Sequence, residues 1–325
     1  MITLVKGAVY KMIEYYKTIN EKTRKEDRFS NGCWIYIINP SISELEYISK
    51  EFNIDINNLM STLDKEERSR LESEDTYNMV IIDVPTDESD INSYTYSTIP
   101  LSIFLLENTL ITISSVESEI LNSFLKNKIK NFSTMKKSRF LFQILQQNAF
   151  QYLKYLRQID NLTTKIEKNI YNSVKNRELI QILNLEKSLI YFSTSLKANE
   201  MVLNKIIRTK SIEKFEDDED LLDDVLMDNK QALEMSNIYG DILSRIMDAF
   251  SSIISNNQNR VMSILTSVTL IMSIFTIISG FFGMNVLGIP FYNHKYGFSI
   301  VIMISILVAI IASIFIYYFN KRILK

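Results

Sequence analysis

Two groups of side chains in this sequence of 325 residues are suited to handling a metal ion. The segment EKFEDDEDLLDD crowds seven carboxylates into residues 216–224. Carboxylate oxygens are the ligands that hard divalent cations such as Mg²⁺ and Ca²⁺ take. The same composition suits a solvated acidic linker that opens a helix, because negative charge is favoured near a helix N-terminus. Composition leaves both readings open. The second group is Thr266, Thr269, Ser273, Thr276 and Gly280, spaced by three, four, three and four within an apolar run. That spacing puts them on one helical face. In a membrane helix such a stripe serves either close packing through small residues or a wet wall along a pore. Taken alone, it favours packing. The rest of the inventory excludes other chemistry. Cys33 is the one cysteine and His294 the one histidine, so one chain can build neither a disulfide framework nor a cysteine or multi-histidine metal site. No nucleophile–base pair, Walker motif or Gly-rich turn is present among only seven glycines, which argues against an enzyme. A net charge of −2 offers nothing to nucleic acid.

The elements that must position these groups follow from the hydropathy pattern. Residues 261–282 and 298–319 form two runs without a charge. At about 1.5 Å per helical residue, each covers the roughly 30 Å hydrocarbon core of a bilayer. Arg245 and Arg260 precede the first run, and Lys321, Arg322 and Lys325 follow the second. The connecting segment 283–297 carries only Lys295. The positive-inside rule then predicts a multi-pass protein of the cell membrane with both termini cytosolic and a short outer loop. Tyr292, Tyr296, Tyr317 and Tyr318 fall where interfacial aromatics are favoured. The opening MITLVKGAVYKMIEYYK has no apolar core or cleavage site of a secretory signal.

The remainder predicts an α+β membrane protein. Residues 1–115 read as a cytosolic α/β sheet domain. GCWIYIINP and YNMVIIDVP are strand runs, and TIPLSIFLLENTLITISS is a hairpin turning at Glu107–Asn108. Ser41 with Glu44 forms a capping box that opens a helix. Residues 116–220 read as a bundle of long helices, broken near 131–133, 172–176 and 208–220. A stalk helix over 221–260 is expected to run into the first span (261–282). At about 1.5 Å per residue, that helix would reach roughly 90 Å. One subunit cannot cover such a length, so it is expected to pack on copies of itself. The loop 283–297, the second span 298–319 and a basic tail 320–325 complete the chain.

Phe281-Phe282-Gly283-Met284-Asn285 ends the first span, beside a short outer loop and one last span. This combination resembles the CorA family of Mg²⁺ channels. LLDDVLMDNKQALEM, IMDAFSSIISNNQNRVMSILT and FLLENTLITIS also look like the family's stalk and sheet sequences. The resemblance implies a homopentamer in membrane lipid, with divalent metal ions as partners, Mg²⁺ (and Co²⁺ or Ni²⁺ as further candidates) entering down the membrane potential, and cytosolic Mg²⁺ as regulator. It implies no other cofactor. It places a selectivity filter at Gly283, Met284 and Asn285. Pore-facing positions fall on Asn259, Met262, Leu265, Thr269, Ser273, Thr276 and Gly280, which largely coincide with the stripe. A regulatory metal site would involve Asp224 with Asp87 or Glu88 of a neighbouring subunit, and Asp248 would be a further stalk carboxylate. The sequence departs from the family at Phe282, Ser273 and Ile274. Its outer loop also lacks the usual acidic residue and carries His294 and Lys295. Two alternatives remain: a Zn²⁺ transporter of the same superfamily, and a non-conducting membrane-anchored sensor or scaffold.

Overall fold

The computed structural model describes all residues except 1–2, 6–7, 11–12, 90–94, 173–175, 287, 292–294 and 324–325. Tyr292, His294 and Lys325, which the sequence assigns to an interface, the outer loop and the tail, lie outside the described residues. The chain divides into two compact units, Met1–Met247 and Asp248–Lys325.

The strands of the first unit are β1 (Thr3–Val5), β2 (Ala8–Tyr10), β3 (Ile13–Ile19), β4 (Lys22–Glu26), β5 (Trp34–Ile38), β6 (Arg70–Ser73), β7 (Tyr77–Asp87), β8 (Tyr96–Leu106) and β9 (Leu110–Ser114). β1 and β2 pair with each other. The other seven make one mixed sheet in the order β4-β3-β5-β9-β8-β7-β6. Within it, β5 and β9 are parallel and the remaining pairs are antiparallel. The hairpin expected at Glu107–Asn108 is the β8–β9 turn, with Leu105 opposite Leu110.

Both faces of the middle of this sheet are covered, which explains why β5, β7, β8 and β9 read as largely apolar runs rather than alternating ones. Successive side chains still point to opposite faces. Ile35, Ile37, Met79 and Ile81 join one core with Leu45 and Ile48 of α1 (Ile42–Phe52) and Leu59 of α2 (Ile56–Met60). Trp34, Tyr36, Val80 and Ile82 join the other core. There they meet α3 (Glu119–Leu125), α4 (Lys137–Asn172) and α5 (Asn176–Arg208) through Phe124, Phe140 and Leu203. Helix α1 begins as expected. The Ser41 side chain accepts from the Glu44 N–H, and the Glu44 carboxylate accepts from the Ser41 N–H at 2.8 Å.

Helix α6 (Glu216–Phe282) starts earlier than the expected stalk boundary. Its acidic opening is therefore helix and not linker. Asp218 is buried, and its carboxylate meets Arg139 of α4 at 3.0 Å. The second unit holds the remainder of α6 and α7 (Gly297–Ile323). Both contain a stretch long and apolar enough to cross a membrane.

Candidate ion pathway

The first candidate span is not equally covered around its circumference. Ser263, Ser267, Ile271, Ile274, Ile278 and Phe282 are partly covered, and their spacing of three and four puts them on one side. Asn259, Met262, Leu265, Thr269, Thr276 and Gly280 are exposed, with Ser273 partly covered among them. At 3.6 residues per turn this second set falls roughly opposite the first. The polar stripe read from spacing is thus not the side that the chain covers for itself.

Three hydroxyls of the stripe are bonded to their own helix backbone. Thr269 donates to the Leu265 carbonyl at 2.9 Å, Ser273 to Thr269 at 2.9 Å and Thr276 to Met272 at 3.2 Å. A hydroxyl whose proton is so engaged has only acceptor capacity left, the polarity that suits a hydrated cation. Met262 and Leu265 add two apolar positions at the other end of the stripe.

The helix ends where the tripeptide begins. The Gly283 N–H bonds the Ser279 carbonyl at 2.9 Å, and the Met284 N–H reaches Phe281 at 3.4 Å. A Cβ on Gly283 would stand 3.0 Å from the Ser279 carbonyl oxygen, so glycine lets the chain leave the helix tightly. Asn285 is exposed directly beyond this exit. Gly280 is different: a Cβ there would meet nothing within 4 Å. Beside the exit, Phe275, Thr276, Ser279 and Phe282 of α6, Pro290 and Phe291 of the loop, and Val301 and Ser305 of α7 enclose part of a cavity of about 650 Å³. Thr276 therefore borders both the stripe and this cavity.

The expected regulatory carboxylates lie on two separate grooves of the first unit. Asp224 is exposed and lines one with Gln146, Phe150, Asp228, Lys230 and Glu234. Asp87 is exposed at the end of β7 and lines another with Glu117, Glu119, Gln151 and Tyr155. Asp87 accepts from the Ser89 N–H at 2.9 Å, and Glu88 accepts from the Ser97 hydroxyl at 2.6 Å. Asp248 is exposed and belongs to the second unit. Among the described residues no cluster of three acidic, histidine or cysteine side chains is disposed to hold a metal within one chain. The sequence reading passed over Asp228. It stands four residues after Asp224 on the same helical face, a signal present in DDVLMD. Partial burial raises its carboxyl above the usual aspartate value, and the neighbouring Asp224 charge adds to the shift.

Comparison with known proteins bears on these features together. The family described as CorA-like Mg²⁺ transporter protein matches residues 30–322. The cobalt/magnesium transport protein CorA of Methanocaldococcus jannaschii is 29% identical over 297 residues, covering 89% of this chain and 90% of that protein. The magnesium transport protein CorA of Helicobacter pylori is 24% identical over 296 residues, 89% of each. Among solved structures, the complete CorA magnesium transporter of M. jannaschii superimposes with a TM-score of 0.78 at 25% identity, over 97% of this chain and 99% of that one. The full-length CmaX protein shares the fold, with a TM-score of 0.70 at 14% identity over 98% and 99%.

Proposed function

The chain belongs to the CorA-like Mg²⁺ transporter family, and we propose that it carries Mg²⁺, with Co²⁺ as a second cargo, through a channel built from copies of itself. The observation that carries this reading is the exposed polar and small stripe of α6, which lies opposite the side the chain covers and ends at Asn285. Gly240 and Gly280 support self-association. In a helix interior glycine costs about 1 kcal/mol relative to alanine. A Cβ at either position would meet nothing within 4 Å, so the chain's own packing does not require glycine there. The copies number five in this proposal. Their first spans surround one axis, and both termini are cytosolic.

Mg²⁺ gives up its water reluctantly, so the filter leaves the ion hydrated. The Asn285 side chain and Gly283 carbonyl of each copy accept hydrogen bonds from the ion's water shell. A neutral ring binds weakly enough to release the ion. The membrane potential drives entry, contributing about 2.3 kcal/mol per charge per 100 mV, or roughly 4.6 kcal/mol for a divalent ion. Met262 and Leu265 form apolar rings that close by dewetting. Cytosolic Mg²⁺ bridges Asp224 to Asp87 or Glu88 of the neighbouring copy, with Asp248 nearer the pore entrance, and so favours the shut state.

The test is Mg²⁺ flux into liposomes containing the purified protein. Asn285→Ala is expected to lower flux by about tenfold or more, equivalent to about 1.4 kcal/mol or more of lost stabilisation. Unchanged flux in that variant refutes the filter assignment. A wild type that conducts no divalent ion would return the sensor reading, and Zn²⁺ outcompeting Mg²⁺ would return the zinc reading.

A further inference from the structure

Helix α5 stands between the strand that ends at Asp87 and the helix that carries Asp224, and it is bonded to both sides. On the sheet side, β7 outruns its neighbour β6, whose pairing stops at Ile81. The backbone of Asp83 meets the Asn199 side chain there. The Asp83 N–H donates to Asn199 Oδ1 at 2.9 Å, and Asn199 Nδ2 donates back to the Asp83 carbonyl at 2.8 Å. One amide thus stands where a strand residue would, offering an acceptor and a donor together. Two further bonds fasten α5 to β8. The Tyr96 N–H donates to Ser188 Oγ at 2.9 Å, and Ser195 Oγ donates to Thr98 Oγ1 at 2.9 Å. Tyr96 is the cross-strand partner of Asp87, so the end of β7 is also held by way of β8.

On its other side α5 is fastened to α6. Asn229 Nδ2 donates to the Leu196 carbonyl at 3.0 Å, and Ser236 Oγ donates to the Leu189 carbonyl at 3.0 Å. The spacing repeats. Ser188 and Leu189, then Ser195 and Leu196 seven residues later, each combine a tie to the sheet with a tie to α6, and Asn229 and Ser236 are seven apart as well. Seven residues are close to two helical turns, so the ties run in two rows along α5. Ser188, Ser195, Asn199, Asn229 and Ser236 are all buried.

Apolar burial is non-directional and sets no register between two helices. These bonds do. Moving α6 by one turn along α5 would part Asn229 and Ser236 from their acceptors and leave two buried donors unpaired. Asp224 lies five residues before Asn229 on the same helix, and Asp87 lies four residues after Asp83 on the same strand. The ties therefore fix where one carboxylate stands relative to the other within a copy.

Taking the proposed metal bridge between copies as the premise on which this rests, we propose that Asn199 and Asn229, with Ser188, Ser195 and Ser236, are positioning residues for Mg²⁺ sensing. Each copy offers Asp224 to one neighbour and Asp87 to the other. An ion bound at Asp224 steadies that copy's α6, and the ties carry the order through α5 to the end of β7. The second carboxylate is then preorganised for the next ion.

The ties to α6 are the ones to remove. The Leu189 and Leu196 carbonyls lie inside α5, where the helix supplies its own donors, so Asn229→Leu combined with Ser236→Ala orphans neither. The experiment is hydrogen exchange on the full-length protein in lipid nanodiscs, titrated with Mg²⁺ and read over residues 82–88 and 221–228. In the wild type, protection of both segments is expected to rise together, more steeply than a single-site curve. In the double variant the curve should flatten toward single-site form, and its midpoint should rise by about threefold or more. Lost stability alone would lower protection at every Mg²⁺ concentration and leave the steepness unchanged. A double variant that keeps the wild-type steepness, or a wild type with a single-site curve, overturns the positioning role and leaves the metal bridge standing. A wild type without Mg²⁺-dependent protection at either segment removes the bridge, and the positioning role with it. Asn199→Ala cuts the sheet side and should flatten the curve in the same way. Because it strands the buried Asp83 N–H, it can fail to fold, and the double variant then decides.

Discussion

Asp218 shows how a single position can mislead a reading of composition. It sits among seven carboxylates that suggest a solvated or metal-binding segment, yet its side chain is 2% exposed and paired to Arg139. Its backbone N–H bonds the Phe215 carbonyl and its Oδ2 accepts from the Phe215 N–H, so the residue also organises the start of α6. Arg139 is 25% exposed and keeps part of its hydration. Asp218→Asn is therefore expected to destabilise the first unit by about 1–3 kcal/mol, below the cost of breaking a fully buried pair. Denaturant unfolding followed by tryptophan fluorescence checks this, because Trp34 is the one tryptophan and lies in the core that α4 covers. Asp83 was invisible for the converse reason. It stands inside an apolar strand run, and only the folded chain brings Asn199 to it across 116 residues. The Gly283-Met284-Asn285 tripeptide was legible because its residues are contiguous. The neighbours that line the grooves at Asp224 and Asp87 were not, because they come from distant elements.

The elements were legible in proportion to their local signals. The capping box, the β8–β9 hairpin and the break between α5 and α6 all rest on residues within a few positions of one another. β3 and β4 were missed. The KTRKE strand is mostly exposed and has no alternation of apolar and polar residues to announce it. The parallel pairing of β5 with β9 joins residues far apart in sequence, which no local pattern encodes. The first span was legible as a span, and its stripe as a face. Gly280 provides a test of what that face meets. A leucine there has open space within one chain, so Gly280→Leu is expected to leave insertion and monomer folding intact. If copies pack along the stripe, the same variant should dissociate the oligomer more readily and conduct poorly. Native gel mobility and liposome flux together read this. An intact oligomer with unaltered flux would remove the stripe from the pore.

Taken as an assembly of elements, the proposed function separates sensing from conduction. Asp224 and Asp87 lie on grooves of the first unit, while Asn285 and the stripe belong to the second. Helix α6 contributes to both, so the proposed feedback can act through one continuous element. Asp224→Lys is expected to weaken shut-off by Mg²⁺ loaded on the cytosolic side while leaving peak flux near wild type. Flux measured against internal Mg²⁺ concentration checks it, and an unchanged inhibition curve would count against regulation at Asp224.

Asn199 of α5 clamps the β7 backbone at Asp83, accepting from its N–H at 2.9 Å and donating to its carbonyl at 2.8 Å, and this bears on how the protein is made. β6 pairs with β7 only as far as Ile81, so at Asp83 it leaves backbone hydrogen-bonding groups for the Asn199 amide to occupy. At the far side of the sheet, β4 carries Lys22, Arg24 and Lys25, charges that discourage a stray strand from docking. At β7 the Asp83 carbonyl is met by Asn148 and Tyr152 of α4, but its N–H has no partner until Asn199 arrives. Translation proceeds at about 5–20 residues per second, so the 116 intervening residues take roughly 6–23 s to emerge. During that interval the nascent chain presents an open, sticky strand border. Chaperone engagement on the ribosome should therefore be concentrated between synthesis of β7 and synthesis of α5.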